Sequence, residues 1–89
     1  MSVKIITPQF LQHIVRESAV TVHATTIGGC LEDFSEKFPS TRKLLFDEND
    51  KLHGYLDIYL NGKSTYPEEL SKAVNEDDEL YILLVMTGG

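Results

Sequence analysis

The sequence has no tryptophan and only one cysteine and three prolines among its 89 residues. A single cysteine, Cys30, cannot form an intrachain disulfide, and no Cys or His neighbour stands at metal-ligand spacing. Every apolar run is shorter than the roughly 20 residues that cross a bilayer, and Met1 to Lys4 lacks the character of a signal peptide. We therefore expect a cytoplasmic protein without a redox or metal role.

Sets of catalytic residues are also missing. The sequence shows no Ser/His/Asp set, no paired carboxylates and no Cys/His pair at useful spacing. Gly28-Gly29 falls in the first turn of a predicted helix, where backbone amides could hold an anion. A phosphate loop would add a strand and a lysine that are not there, so close approach of the helix to a strand is the simpler interpretation. Cys30 is predicted to be a small core residue.

Positive charge is scarce in the second half of the chain. The net charge is −6, and residues 46–89 hold three Lys/Arg against ten Asp/Glu, whereas residues 1–45 hold five against four. Such a surface repels phosphate backbones and anionic membranes, so nucleic-acid and lipid partners are disfavoured. A protein partner with a basic docking surface is expected. The alternative is that acidic runs such as 76–79 are solvated turns.

The first half of the chain predicts two strands followed by a helix. Residues 3–7 form a β-branched run stopped by Pro8, and residues 20–24 alternate in hydrophobicity with His23 on the exposed face. Residues 8–18 are expected to be a loop with one helical turn. A helical period then begins at Ile27, with Thr25 or Thr26 as the cap and Pro39 as the end. Its apolar face is Ile27, Cys30, Leu31, Phe34 and Phe38.

The second half predicts a hairpin and a central last strand. Residues 42–46 form a second helical turn and residues 47–53 a loop. Strand 55–60 ends in Asn61-Gly62, a strong hairpin signal, and residues 63–65 return. Leu70 and Val74 are expected to cover one end of the core. Residues 80–86 are apolar on both faces, which indicates a strand with a neighbour on each side.

The sequence ends in Gly88-Gly89, directly after this most apolar run. Two residues without Cβ atoms can enter a channel too narrow for side chains. We expect a single domain over residues 1–87, with 88–89 as a flexible tail that presents the Gly89 carboxylate. A frayed terminus is the alternative.

These features together resemble the MoaD/ThiS family of ubiquitin-like sulfur-carrier proteins. The resemblance rests on the capped helix from Thr26 to Pro39, the segment 57–62, the turn 77–80 and the terminal Gly88-Gly89. It implies an α+β fold of the β-grasp type, a mixed sheet with one main helix packed on one face. Thr87 stands where the family often has Ala, and 84–86 replaces a segment that often bears proline in MoaD.

The resemblance also implies a chemistry and its partners. A ubiquitin-activating-like adenylyltransferase would use ATP and Mg²⁺ to adenylate Gly89, sulfur would replace AMP, and the thiocarboxylate would serve a sulfur-receiving biosynthetic enzyme. That enzyme could be the large subunit of molybdopterin synthase, with this chain as the non-catalytic small subunit. The carrier itself would bind no cofactor. A ubiquitin-like modifier joined to lysines, and a plain β-grasp interaction module, are the alternatives.

Strand alternation places a docking surface beside the tail. If Leu80, Ile82 and Leu84 face the helix, then Tyr81, Leu83 and Val85 face outward. Tyr59 joins them when Ile58 is buried, and Met86 and Thr87 continue toward the tail. The predicted partner-binding residues are Tyr59, Tyr81, Leu83, Val85, Met86 and Thr87, with Gly88 for access and Gly89 for attachment. The alternative is that Phe10 or Ile14 covers this face. Phe34, Phe38, Ile58, Leu80 and Ile82 are the predicted core.

Overall fold

The computed structural model describes residues 1–85 of the chain. The strands are β1 (Ser2–Ile6), β2 (Ala19–His23), β3 (Leu56–Leu60), β4 (Lys63–Ser64) and β5 (Glu79–Leu84). The α-helices are α1 (Gln12–Val15), α2 (Ile27–Lys37) and α3 (Arg42–Leu45). Short 3₁₀ turns occupy Gln9–Leu11, Pro39–Thr41 and Glu69–Ser71. The predicted mixed sheet with one main helix is confirmed.

The five strands form one sheet in the order β2-β1-β5-β3-β4. The neighbours β1 and β5 run parallel, with Ile5 opposite Leu80, whereas β5 and β3 run antiparallel, with Ile82 opposite Ile58. The predicted central position of the last strand is therefore confirmed. A strand that is apolar on both faces is stable there because neighbours on both sides satisfy its backbone.

The helix α2 packs across one face of the sheet and has Thr26 as its N-cap. The Thr26 Oγ1 accepts a hydrogen bond from the Gly29 N–H at 3.1 Å, so the second of the two candidate threonines is the cap. A Cβ on Gly29 would stand 2.8 Å from the Ala24 Cβ, just beyond β2. One on Gly28 would stand 2.9 Å from the carbonyl oxygen of Leu70. Close approach therefore explains the glycine pair.

The hydrophobic core lies between α2 and the sheet. Phe34, Ile58 and Leu80 are fully buried and Ile82 is 2% exposed, as predicted. Leu70 and Val74 pack against one end of this core, also as predicted. The prediction for Phe38 is wrong in part, because Phe38 is only partly buried. It forms the C-cap of α2, where the chain turns into Pro39, and its ring centroid stays 5.5 Å from that of Phe34.

The hairpin between β3 and β4 has the geometry that its sequence requires. Asn61 has φ 50° and Gly62 has φ 89°, and two successive positive φ values define the turn that Asn-Gly favours. The Asn61 side chain also fixes the start of β5. Its Oδ1 accepts from the Glu79 N–H at 2.9 Å, and its Nδ2 donates to Asp78 Oδ1 at 2.8 Å.

The connection between β1 and β2 is more helical than the sequence indicated. Residues 9–15 form a 3₁₀ turn followed by one turn of α-helix, where a loop with one helical turn was expected. Leu11 and Val15 enter the core, and Phe10 and Ile14 pack partly against it. This segment closes the end of the core next to β1.

Candidate docking face on the outer side of the sheet

The outer side of the sheet carries the predicted docking residues. From Leu80 to Leu83 burial alternates along β5, with Ile82 at 2% exposed and Leu83 at 40%. Tyr81 is 37% exposed and Val85 is 36% exposed. The predicted outward orientation of these three side chains is confirmed. The alternative, in which Phe10 or Ile14 buries them, is wrong because those residues pack toward the core instead.

The strand β3 brings Tyr59 to the same face. Tyr59 lies directly opposite Tyr81 in the antiparallel register, and Asp57 lies opposite Leu83. Tyr59 is half-buried, so it contributes less open surface than expected. Cross-strand neighbours of this kind lie about 5 Å apart, so the four side chains form one contiguous patch. We call Tyr59, Tyr81, Leu83 and Val85 the outer patch.

The carboxyl group of Asp57 adjoins the outer patch, because Asp57 lies opposite Leu83. Asp57 Oδ2 accepts a hydrogen bond from the Ser64 hydroxyl at 2.9 Å. Its Oδ1 is buried and has no hydrogen-bond partner among residues 1–85. The salt bridges found in this part of the chain join Lys37 to Asp33 and Arg42 to Glu32 and Asp50, and none reaches Asp57. Beside the apolar outer patch there is therefore a carboxyl group that has no salt-bridge partner within residues 1–85.

Leu84 shares the strand parity of Leu80 and Ile82, but the structure does not bury it with them. Its side chain is 50% exposed. Leu84 pairs with Leu56 at the last position of the β3–β5 ladder, whereas β1 pairs only as far as Tyr81. Because β1 no longer runs beside β5 at this position, Leu84 has a neighbouring strand on the β3 side only, and its side chain is less covered than those of Leu80 and Ile82.

The sequence pattern did not predict the exposed aromatic side chain of Tyr66. Tyr66 is 75% exposed, the most of any large apolar side chain in residues 1–85, and its N–H donates to the Ser64 Oγ at 3.3 Å. Tyr66 follows β4, where the alternation of buried and exposed residues has ended, so that alternation could not predict on which side its side chain lies. Its backbone link to Ser64 places it at the β4 side of the outer patch.

The remaining predicted site residues are Met86, Thr87, Gly88 and Gly89, and they lie outside the described residues. Their assigned roles remain predictions. What the structure fixes is the point from which they depart. The Val85 N–H donates to the Tyr55 carbonyl at 2.8 Å, so β5 is held to β3 up to the last described residue.

Cys30 is unsuited to covalent chemistry. It is fully buried on the core face of α2, and burial raises the pKa of its thiol to about 11, with a smaller contribution from Asp33. A thiol with a raised pKa forms little of the reactive thiolate at neutral pH. Within residues 1–85, no three His, Cys, Asp or Glu side chains gather as metal ligands do. No helix in the same range has the length and apolar character needed to cross a membrane.

Comparison with known proteins gives matches at the level of structure. No protein-family model matches the chain, and no curated protein matches its sequence. The small archaeal modifier protein 1 (SAMP1) of Haloferax volcanii superposes with a TM-score of 0.85 at 21% identity, covering 100% of both chains. SAMP1 of Methanosarcina acetivorans gives 0.86 at 22% identity, covering 99% of this chain and 96% of that one.

A third structure is the BexX/CysO complex of Amycolatopsis orientalis, with a TM-score of 0.85 at 25% identity, covering 98% of this chain and 99% of that one. The chain has the ubiquitin-like β-grasp fold. The β-grasp of these neighbours spans the same full length, which confirms at the level of the fold the resemblance drawn from the sequence.

Proposed function

We propose that this β-grasp protein is a sulfur carrier whose Gly89 carboxylate is adenylated and then converted to a thiocarboxylate. One observation carries the proposal. The central strand β5, which is held by β1 and β3, has an exposed apolar outer face, and Gly88-Gly89 follows it in the sequence after residues 85–87. A sheet-anchored strand with an apolar docking face, followed in sequence by two residues without side chains, suits delivery of Gly89 into another protein's active site.

The proposed chemistry takes place on the carboxylate, with the catalytic groups supplied by a partner. A Gly89 oxygen attacks the α-phosphorus of ATP and displaces pyrophosphate, which gives an acyl adenylate. Hydrosulfide delivered on the activating side attacks the acyl carbon, AMP leaves, and loss of the S–H proton gives the thiocarboxylate. The C-terminal thiocarboxylate is a soft nucleophile that a second enzyme can use away from water. The carrier is thus a co-substrate, and ATP and Mg²⁺ belong to the activating enzyme.

The outer patch is the proposed docking surface for both partners. Exposed apolar and aromatic side chains around a partly buried centre are the composition of a protein-binding site. A structure of the same fold, CysO, was solved in complex with another protein, BexX, which supports a protein partner for this fold. We assign the receiving partner to the biosynthetic enzymes that take sulfur from a carrier. Met86, Thr87 and Gly88 would line the path by which Gly89 reaches either active site.

A second candidate function is protein modification. The observation that favours it is that two structures sharing the fold over nearly the full chain are small archaeal modifier proteins. The adenylated Gly89 would then be attacked by a lysine amine of a target protein, which forms an isopeptide bond as AMP leaves. Adenylation is common to both functions, and the nucleophile that follows separates them.

The test of adenylation is pyrophosphate exchange into ATP, catalysed by a purified ubiquitin-activating-like enzyme from the same cells. The intact chain should support exchange and a Gly89-deleted chain should not, while both should unfold at the same urea concentration. Exchange that persists without Gly89 would contradict the proposal. Isopeptide-linked adducts in the same cells, without any thiocarboxylate, would favour modification.

A further inference from the structure

The strand β5 continues three residues past the last one that pairs with β1. The parallel register joins Lys4 to Glu79 and Ile6 to Tyr81, whereas β5 extends to Leu84. In a parallel ladder, alternate residues of one strand bond to the residues before and after their partners. The Lys4 N–H follows this pattern by donating to the Asp78 carbonyl at 2.9 Å. The next bonding position on the β1 side would be Pro8, opposite Leu83.

Pro8 cannot continue the ladder, for two reasons. As a proline it has no N–H to donate to the Ile82 carbonyl. Its own carbonyl, which would accept from the Leu84 N–H, accepts from the Leu11 N–H at 3.0 Å instead. The chain therefore turns away from β5 at this point. The Ile82 carbonyl and the Leu84 N–H are left without a strand partner among residues 1–85.

The opposite edge of β5 confirms which backbone groups are open. The Val85 N–H donates to Tyr55 and the Glu79 carbonyl accepts from the Asn61 N–H, so odd-numbered residues of β5 bond to β3. Backbone groups alternate in direction along a strand. Those of Ile82 and Leu84 must therefore face the side that β1 has left.

A groove of about 450 Å³ occupies this side of β5. Its walls are the segment from Ile6 to Phe10 and the strand residues from Tyr81 to Leu84. Thr7 lines it and is 5% exposed, and the Thr7 Oγ1 has no hydrogen-bond partner within the described part of the chain. A buried hydroxyl without a partner destabilises the free protein. The groove therefore combines two open main-chain groups with an unsatisfied side-chain hydroxyl.

The geometry points to a binding site for an extended peptide segment of a partner protein, which adds as a strand in the place that Pro8 leaves open. One peptide N–H donates to the Ile82 carbonyl, and the carbonyl of the same residue accepts from the Leu84 N–H. The ligand segment must therefore contain no proline at that residue. Strand addition of this kind draws its affinity from main-chain hydrogen bonds.

Charge selects among such segments. The protein carries a net charge of −6, and the half that includes β5 holds three basic residues against ten acidic ones. Extended segments flanked by Lys or Arg are therefore attracted, and acidic segments are repelled. The site goes beyond the proposed sulfur chemistry, because it depends on β5 and Thr7 and not on the state of Gly89.

The test is an NMR titration of the ¹⁵N-labelled full chain with the capped peptide acetyl-Lys-Val-Thr-Val-Lys-amide. We expect a saturable downfield shift of the Leu84 amide proton and slower exchange of that proton with solvent. The control is the same peptide with its central nitrogen methylated, which removes the donor to Ile82. It should bind about fivefold more weakly, the loss expected for one net hydrogen bond.

Two variants test the protein side. Thr7→Val keeps the shape and removes the unsatisfied hydroxyl, so the urea midpoint should stay equal or rise. Peptide affinity should fall about fivefold, because the Thr7 hydroxyl no longer forms a hydrogen bond with the bound peptide backbone. Thr21→Val, on exposed β2 surface, is the matched control and should leave peptide affinity unchanged. Leu84→Pro removes the open N–H without touching a bond to β3. If that variant fails to fold, Thr7→Val and the methylated peptide still decide the question.

Three results would overturn the inference. The first is a Leu84 amide that does not shift at peptide concentrations up to about 1 mM, which would put any Kd above the millimolar range. The second is equal binding of the methylated peptide, or shifts confined to the outer patch. The third is a Leu84 shift that grows with protein concentration alone, which would give this edge to a second copy of the chain.

Discussion

The two faces of β5 have similar residues and opposite surroundings. Leu80 and Ile82 are 0% and 2% exposed beneath α2, whereas Tyr81 and Leu83 are 37% and 40% exposed on the other face. Hydrophobicity alone therefore does not determine which side becomes core. The helix covers one face, and nothing in residues 1–85 covers the other. An uncovered apolar face beside a carboxyl group that has no salt-bridge partner within residues 1–85 is characteristic of a surface that a partner covers.

The largest expected effect is a loss of stability when a buried side chain on the helix-covered face of the sheet is truncated. Phe34→Ala removes a fully buried ring between α2 and the sheet and should lower the free energy of unfolding by about 3–5 kcal/mol. Tyr81→Ala, on the open face, is the control and should cost less than about 1 kcal/mol. Urea denaturation measures both. A loss below about 1 kcal/mol for Phe34→Ala would mean that α2 does not pack as described.

The next prediction separates the faces by one residue. Leu83→Asp should weaken binding to the activating enzyme at least tenfold, about 1.4 kcal/mol, and leave the fold intact. Ile82→Asp should instead prevent folding, because it places an unpaired charge in the core. Titration calorimetry measures affinity and circular dichroism checks the fold. Unchanged affinity for Leu83→Asp would show that the outer patch is not the docking surface for the activating enzyme.

A smaller effect tests why the helix can lie so close on the covered side. Gly29→Ala would bring a Cβ to 2.8 Å from the Ala24 Cβ, and this strain should outweigh the better helix propensity. We expect a net loss of about 1 kcal/mol, as for modest overpacking. Gly54→Ala has no atom within 4 Å of its added Cβ and should be neutral or slightly stabilising. A stabilised Gly29→Ala would show that the contact is looser than described.

The smallest effect concerns pH. Asp33 on α2 accepts from the His23 N–H at 2.9 Å and from Lys37 at 3.1 Å, and these interactions, the first above all, lower the pKa of its carboxyl below 3.8. A depressed folded-state pKa stabilises the protein above the unfolded value, and this contribution is lost as pH falls through the folded value.

Unfolding midpoints measured as pH is lowered past 3.8 should therefore decline less steeply in Asp33→Asn than in the parent protein. Glu36→Gln changes the same charge on an exposed residue of the same helix and is the control. An identical pH profile for Asp33→Asn and the parent would show that the hydrogen bond from the His23 N–H to the Asp33 carboxylate does not contribute to stability.

Most of the fold was predictable because each element has a local signal. The period of α2, the Asn61-Gly62 turn and the two-sided apolar run of β5 each depend on neighbours in sequence. The outward direction of Tyr81 and Leu83 followed from alternation alone. Phe38 was overestimated as core because periodicity does not show where a helix turns away from the sheet.

What could not be predicted depends on long-range register. Leu84 shares the parity of Leu80, yet it is exposed because β1 ends before reaching it. The open edge of β5 arises from the same register and from the capture of the Pro8 carbonyl by Leu11. A sequence shows that Pro8 ends a strand, but it does not show which neighbour loses its partner.

The central claim, that Gly89 carries sulfur, is tested most directly by the intact mass of the protein purified from its own cells. The account predicts a fraction whose mass corresponds to one oxygen replaced by sulfur, lost on deletion of Gly89 and restored to the unmodified mass by mild hydrolysis. A protein that stays unmodified while its activating enzyme and ATP are present, or a Gly89-deleted chain that still gains sulfur, would contradict it.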